Sequence, residues 1–114
     1  MFQVKLGRRA GVMFAAGGLA VALAVPAFAA TPAPTGSSPK GKVVFKLYCG
    51  SCHTMKAAAT VGTSGPKLNK GTRTYAKIVA RVTNGKPGTA MMAYKTLLTK
   101  VQITNVSTFV FKRK

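Results

Sequence analysis

Cys49-Gly50-Ser51-Cys52-His53 holds both cysteines and the single histidine of the chain. Two thiols three residues apart, followed directly by histidine, read as an attachment site for a c-type haem. The spacing has a mechanical reason. On a turning backbone the two thiols reach the two vinyl groups on one edge of a porphyrin, and the adjacent imidazole lands under the iron as its fifth ligand.

Other chemistry at this pentapeptide fits less well. A disulfide would not require the histidine, and a bridge between Cys49 and Cys52 closes almost no loop. A thioredoxin-like redox pair needs a βαβ setting, and no strand pattern surrounds the motif. A zinc site needs four ligands, and no further Cys, His, Asp or Glu exists in the chain.

A sixth iron ligand must then be methionine or absent. Met1 and Met13 fall in the N-terminal segment, and Met55 stands too close to His53 to cross a porphyrin. Met91 and Met92 remain, in Gly88-Thr-Ala-Met-Met-Ala-Tyr94, downstream of Gly85 and Pro87. The bland use of such a pair is core filling. A glycine-rich loop has little other reason to carry two thioethers, so both stay open as axial candidates.

Composition narrows the field further. The 114 residues include 18 Lys+Arg and no Asp or Glu, a formal charge of +18. Average usage would supply about 14 acidic side chains. Their absence excludes a paired-carboxylate glycosidase, a two-metal or Walker-type Mg²⁺ enzyme, an EF-hand and a Ser-His-Asp triad. At 47% hydrophobic the chain still needs a core.

The start reads as an address. Lys5, Arg8 and Arg9 precede an uncharged apolar run ending at Ala27-Phe28-Ala29, a small-x-small site. Residues 1–29 are therefore expected to be a signal peptide cleaved after Ala29, with an uncleaved membrane anchor as the competing reading. Residues 30–38, rich in Pro, Ser and Gly, read as a flexible linker. Residues 39–114 form the domain. About 75 residues is small enough to need a staple, and a haem supplies both staple and interior.

Helices must position the motif. Residues 39–48 follow a candidate cap at Ser38 with Pro39 in the first position, and place Gly41 and Phe45 on one face. A mid-helix glycine costs about 1 kcal/mol against alanine, so Gly41 calls for a close helix approach. Residues 74–84 space Tyr75, Ile78, Val79 and Val82 as one apolar face, with Thr74 as cap and Gly85 as terminator. Thr99 and Gln102 form a capping box ahead of Ile103, Val106, Phe109 and Val110. Lys112, Arg113 and Lys114 suit the C-terminal end of that helix.

Taken together these segments resemble the class I monohaem cytochromes c, over about Gly41 to Phe111. GKVVFKLYCGSCHT looks like the family's first helix running into its haem motif, GPKL (65–68) like its G-P-x-L segment, and TNGKPGTAMMAY like its methionine loop. LTKVQITNVSTFVF looks like its last helix. The resemblance implies an all-α, cytochrome c-like fold of three to four helices around one covalently attached haem c. The last helix would cross the first near Gly41 and Phe45, through Phe109 or Val106. It implies that Cys49 and Cys52 carry the thioethers, that His53 is the proximal iron ligand and that Met91 is the distal one. The Pro66 carbonyl would accept the His53 Nδ1 hydrogen, and Leu68 would pack on the porphyrin. Two features depart from the family pattern: Met92 stands where a proline usually follows the methionine, and the last helix has no acidic residue.

The function expected is an exported electron carrier, not an enzyme, moving one electron between redox partner proteins outside the cytoplasmic membrane. A monomer is expected, with Lys56, Lys67, Lys86 and Lys95 ringing the haem edge to steer acidic partner surfaces. Arg73 or Arg81 would gather on the haem propionates. Two other readings stand beside it: a haem peroxidase or gas-binding protein with an open sixth site, and a cationic protein binding polyanions or an anionic membrane surface. The lysines are spread along the chain without an aromatic-interleaved patch or basic recognition helix, which speaks against specific nucleic-acid binding.

Overall fold

The structure, a computed structural model, describes residue 11, residues 15–26 and residues 32–114. The basic start of the expected signal peptide and its cleavage site lie outside the described residues. Among the described residues no helix is long and apolar enough to cross a membrane.

Three helices carry the fold: α1 (Ser38–Tyr48), α2 (Tyr75–Asn84) and α3 (Lys100–Arg113), with single 3₁₀ turns at Lys56–Ala58 and Tyr94–Thr96. No strand occurs among the described residues; Met55 and Thr60 pair as one isolated bridge. The all-α architecture expected from the sequence is the one observed.

Each helix starts on a hydroxyl because the chain has no acidic cap to offer. Thr74 accepts from the Lys77 N–H at 3.3 Å, and Gly85 ends α2 at φ +68°. Thr99 accepts from the Gln102 N–H at 3.1 Å while the Gln102 side chain accepts from the Thr99 N–H at 2.9 Å, closing the capping box. At α1 the expectation is corrected by one residue. Ser37, not Ser38, is the cap, accepting from the Lys40 N–H at 3.4 Å, and the helix begins at Ser38. Pro39 still sits in the first turn, where its missing N–H has no partner to lose.

α1 and α3 cross at Gly41. A Cβ there would overlap the Asn105 carbonyl and lie 2.8 Å from the Phe109 Cβ, so only glycine lets the two backbones approach this closely. Beside the crossing Phe45 and Phe109 stack with ring centroids 5.7 Å apart at 59°. Both are essentially sealed from solvent, as are Met55, Ala58 and Val106. Met55, unsuited to ligation, fills the core instead.

The expected linker is partly docked. The Gly36 N–H donates to Thr108 Oγ1 at 3.0 Å and the Ser37 N–H to Asn105 Oδ1 at 2.8 Å. This strap explains why Asn105 and Thr108 are buried although they are polar. α3 is consequently covered nearly all round from Ile103 to Val110.

Candidate functional site

The chemistry-bearing pentapeptide begins where α1 ends. Cys49 caps the helix, its N–H bonding the Phe45 carbonyl at 2.8 Å. The chain then coils on itself, with the Cys52 and His53 N–H groups both donating to the Cys49 carbonyl, at 3.2 and 2.9 Å. One tight turn thus brings both thiols and the imidazole to the same wall. Both cysteines are free. Burial, reinforced by the neighbouring Cys52, pushes the Cys49 thiol up to about 12.

His53 is buried and oriented from the far side of a loop. Its Nδ1 donates to the Pro66 carbonyl oxygen at 2.8 Å. A carbonyl can only accept, so the proton is fixed on Nδ1 and the lone pair of Nε2 is left free for a metal. Gly65 backs the ring so closely that a Cβ there would lie 2.6 Å from Cε1. The loop itself is pinned by the Gly65 N–H to the Cys52 carbonyl at 2.8 Å and the Leu68 N–H to the Thr54 carbonyl at 2.9 Å.

These groups open onto a cleft of about 280 Å³. Its walls are apolar: Phe45, Leu68, Ile78, Val82, Val106 and Val110. Met91 lines it, whereas Met92 does not and is half exposed. The methionine loop is folded onto itself to hold that placement. The Lys86 N–H donates to the Met91 carbonyl at 2.9 Å, and the Met91 N–H to Thr89 Oγ1 at 3.3 Å. Gly85 permits this return because a Cβ there would lie 2.5 Å from the Met91 carbonyl oxygen. All six residues expected at the site (Cys49, Cys52, His53, Pro66, Leu68 and Met91) line this one cleft.

Around the mouth stand Lys70, Arg73, Arg81, Lys86 and Lys114. Lys114 is held by its Nζ donating to the Arg73 carbonyl at 2.6 Å and lying 4.7 Å over the Phe111 ring. Of the basic residues proposed for steering, Lys86 borders the cleft; Lys56, Lys67 and Lys95 are exposed elsewhere on the surface.

Two residues at the cleft escaped the sequence reading. Tyr94 donates its hydroxyl to the Tyr48 carbonyl at 2.8 Å, and the two rings meet edge to face at 6.4 Å. Burial, then the nearby Cys49 and Cys52, hold the Tyr94 hydroxyl above the usual tyrosine range. The aromatic at the end of the methionine loop was its only sequence signal.

The residues present fit a haem. Two free thiols on one turn, an imidazole with its Nε2 uncommitted, a thioether facing an apolar cleft and cations at its mouth match a flat apolar disc with an iron centre and acidic substituents. Comparison with known proteins agrees. The family model described as cytochrome c oxidase, cbb3-type, subunit III matches residues 37–110, and the chain belongs to that family of c-type cytochromes. It is 38% identical over 84 residues to cytochrome c6 of Rippkaea orientalis, covering 69% of this chain and 73% of that protein. Its fold is similar to the crystal structure of the c-type cytochrome SorU from Sinorhizobium meliloti, with a TM-score of 0.56 and 26% identity, over 67% of this chain and 88% of that one. The protein is a small monohaem c-type cytochrome with covalently bound haem c, an electron-transfer protein that works with redox partner proteins.

Proposed function

We propose that this cytochrome is an exported carrier of single electrons whose haem is tied by thioethers to Cys49 and Cys52 and whose iron is ligated by His53 and Met91. When bound, the haem supplies a one-electron iron couple. The observation that carries the reading is the His53–Pro66 hydrogen bond at 2.8 Å, which commits Nδ1 and frees Nε2 toward a cleft that Met91 also lines.

Each residue then has a physical task. Pro66 fixes the tautomer and raises the basicity of the His53 ring. Leu68, Ile78 and Val82 exclude water from the cleft, which lowers its dielectric and favours the less charged, reduced state. Arg73 and Arg81 at the mouth offset the negative charge of the propionates. With His53 and Met91 both holding the iron, no position would be left for a substrate, as suits a carrier. Far-red absorption tests the ligand set. The Met–iron charge-transfer band of the oxidised protein is expected to vanish in Met91→Ala and to persist in Met92→Ala; the reverse pattern overturns the assignment.

Export and docking belong to the same reading. The basic start, apolar run and Ala27-Phe28-Ala29 support cleavage after Ala29 and a location outside the cytoplasmic membrane. An N-terminus beginning at Ala30 on the exported protein is the expected result, and an intact Met1 on it refutes cleavage. Lys56, Lys67, Lys86 and Lys95 favour an acidic partner surface, with loose adhesion to anionic membrane surfaces as a by-product of the charge. The protein acts as a monomer, without sequence-specific contacts to nucleic acid.

A further inference from the structure

Tyr94 makes a connection that neither haem attachment nor iron ligation requires. Its hydroxyl reaches back 46 residues to the Tyr48 carbonyl, at 2.8 Å. Tyr48 is the last residue of α1 and directly precedes Cys49, so its carbonyl is one of those a helix end leaves without an internal partner. The Cys49 and Gly50 N–H groups both go to the Phe45 carbonyl, and those of Cys52 and His53 go to the Cys49 carbonyl. That leaves the Tyr48 carbonyl to the phenol.

The other end of the link is equally specific. Tyr94 follows Met91 by three residues and opens the 3₁₀ turn Tyr94–Thr96. Its ring packs against the core and against Tyr48. Between α2 and this turn, residues 85–93 are bonded mainly to one another: Lys86 to Met91, Thr89 to Lys86 and Met91 to Thr89. The Tyr94 hydroxyl is thus a direct bond from the methionine loop to the segment that carries Cys49, Cys52 and His53.

We infer that Tyr94 is a positioning residue whose phenol clasps the Met91 loop to the haem-attachment end of α1 and so keeps the distal side of the haem closed. The inference rests on Met91 as the distal ligand. A loop that must open to admit an outside ligand has to break this bond first, whereas the rest of the fold does not.

The test is Tyr94→Phe in the holoprotein, which keeps the ring and removes only the hydroxyl. Imidazole is the probe, because it competes for the distal position of the oxidised iron when the loop opens. Its affinity is expected to rise about three- to ten-fold, the range commanded by one net hydrogen bond, and the Met–iron band to bleach at proportionately lower imidazole. The guanidinium unfolding midpoint, read by far-ultraviolet circular dichroism, is expected to move little. An unchanged imidazole affinity overturns the inference. So does a rise no larger than the loss of global stability accounts for, since that marks an ordinary packing role. Met91→Ala separates the two claims: retention of the Met–iron band there sinks the ligand assignment and the clasp with it. Loss of the band there, with Tyr94→Phe indistinguishable from the parent, sinks the clasp alone.

Discussion

Gly41 of α1 and Asn105 of α3 meet backbone to backbone, with the Gly41 Cα seated against the Asn105 carbonyl. The Asn105 side chain also takes the Ser37 N–H, at 2.8 Å, one turn earlier at the start of α1. One residue of the last helix therefore holds both the crossing and the strap that leads into the first helix.

Gly41→Ala puts a methyl group where the Asn105 carbonyl already stands, next to Phe109. Neither neighbour is the free end of a flexible side chain, so α1 and α3 must move apart. Overpacking of this kind costs about 1–3 kcal/mol and more where backbone is displaced. Stability is expected to fall by at least about 3 kcal/mol, checked by guanidinium unfolding of the holoprotein. A loss below 1 kcal/mol would show that the crossing yields.

Gly65→Ala pushes on the His53 ring, since the new Cβ would lie 2.6 Å from Cε1 and 2.8 Å from Nδ1. The bond to Pro66 is expected to lengthen or break, and with His53 as the proposed iron ligand the imidazole would become a weaker donor. The oxidised state, which depends more on that donation, loses more. The reduction potential is expected to rise by about 20–60 mV, the equivalent of one net hydrogen bond for a one-electron couple. Redox titration decides it, and a fall in potential contradicts the assigned role of Pro66.

Ala59 sits at φ 54°, ψ 42°, the only described non-glycine residue with positive φ. A side chain there pays for the left-handed conformation, and glycine does not. Ala59→Gly is expected to stabilise the protein by about 0.5–1 kcal/mol, read as a rise in thermal midpoint. Destabilisation would mean that the exposed Ala59 methyl contributes more than its backbone costs.

Steering by a chain with no acidic side chain carries a strong salt signature. The rate of reduction by an acidic partner is expected to fall by about ten-fold or more between low and physiological ionic strength. Stopped-flow measurement across that range checks it; a flat profile rules out the proposed lysine steering.

What the sequence revealed and what it hid divide along chain distance. The haem motif, the Thr74 cap and the Thr99–Gln102 box are contained within a few residues, so their physics is local and readable. Gly41 announced a close approach because a mid-helix glycine is costly unless something needs the space. The sequence pointed to Ser38 as the cap, whereas Ser37 takes that place and is held by the strap, whose partners on α3 lie 68 and 72 residues away. Gly36 and Ser37 therefore looked like tether. Tyr94 was silent for the same reason: its meaning is a carbonyl 46 residues upstream. Which of Met91 and Met92 faces the cleft is set by the loop's own fold, including the Lys86–Met91 and Met91–Thr89 hydrogen bonds.

The strap also fixes where the chain leaves the domain. Gly36 and Ser37 lie at the start of α1, and the haem-attachment turn lies at its other end, roughly 16 Å away at 1.5 Å per residue over 11 residues. Anything fastened to the N-terminal side of Gly36, an affinity handle or an electrode linker, is moored at the opposite pole from the thioether turn. A monolayer attached in that way would hold every molecule with its redox-active end outward, and wiring it through the C-terminal end of α3 beside Arg73 would not.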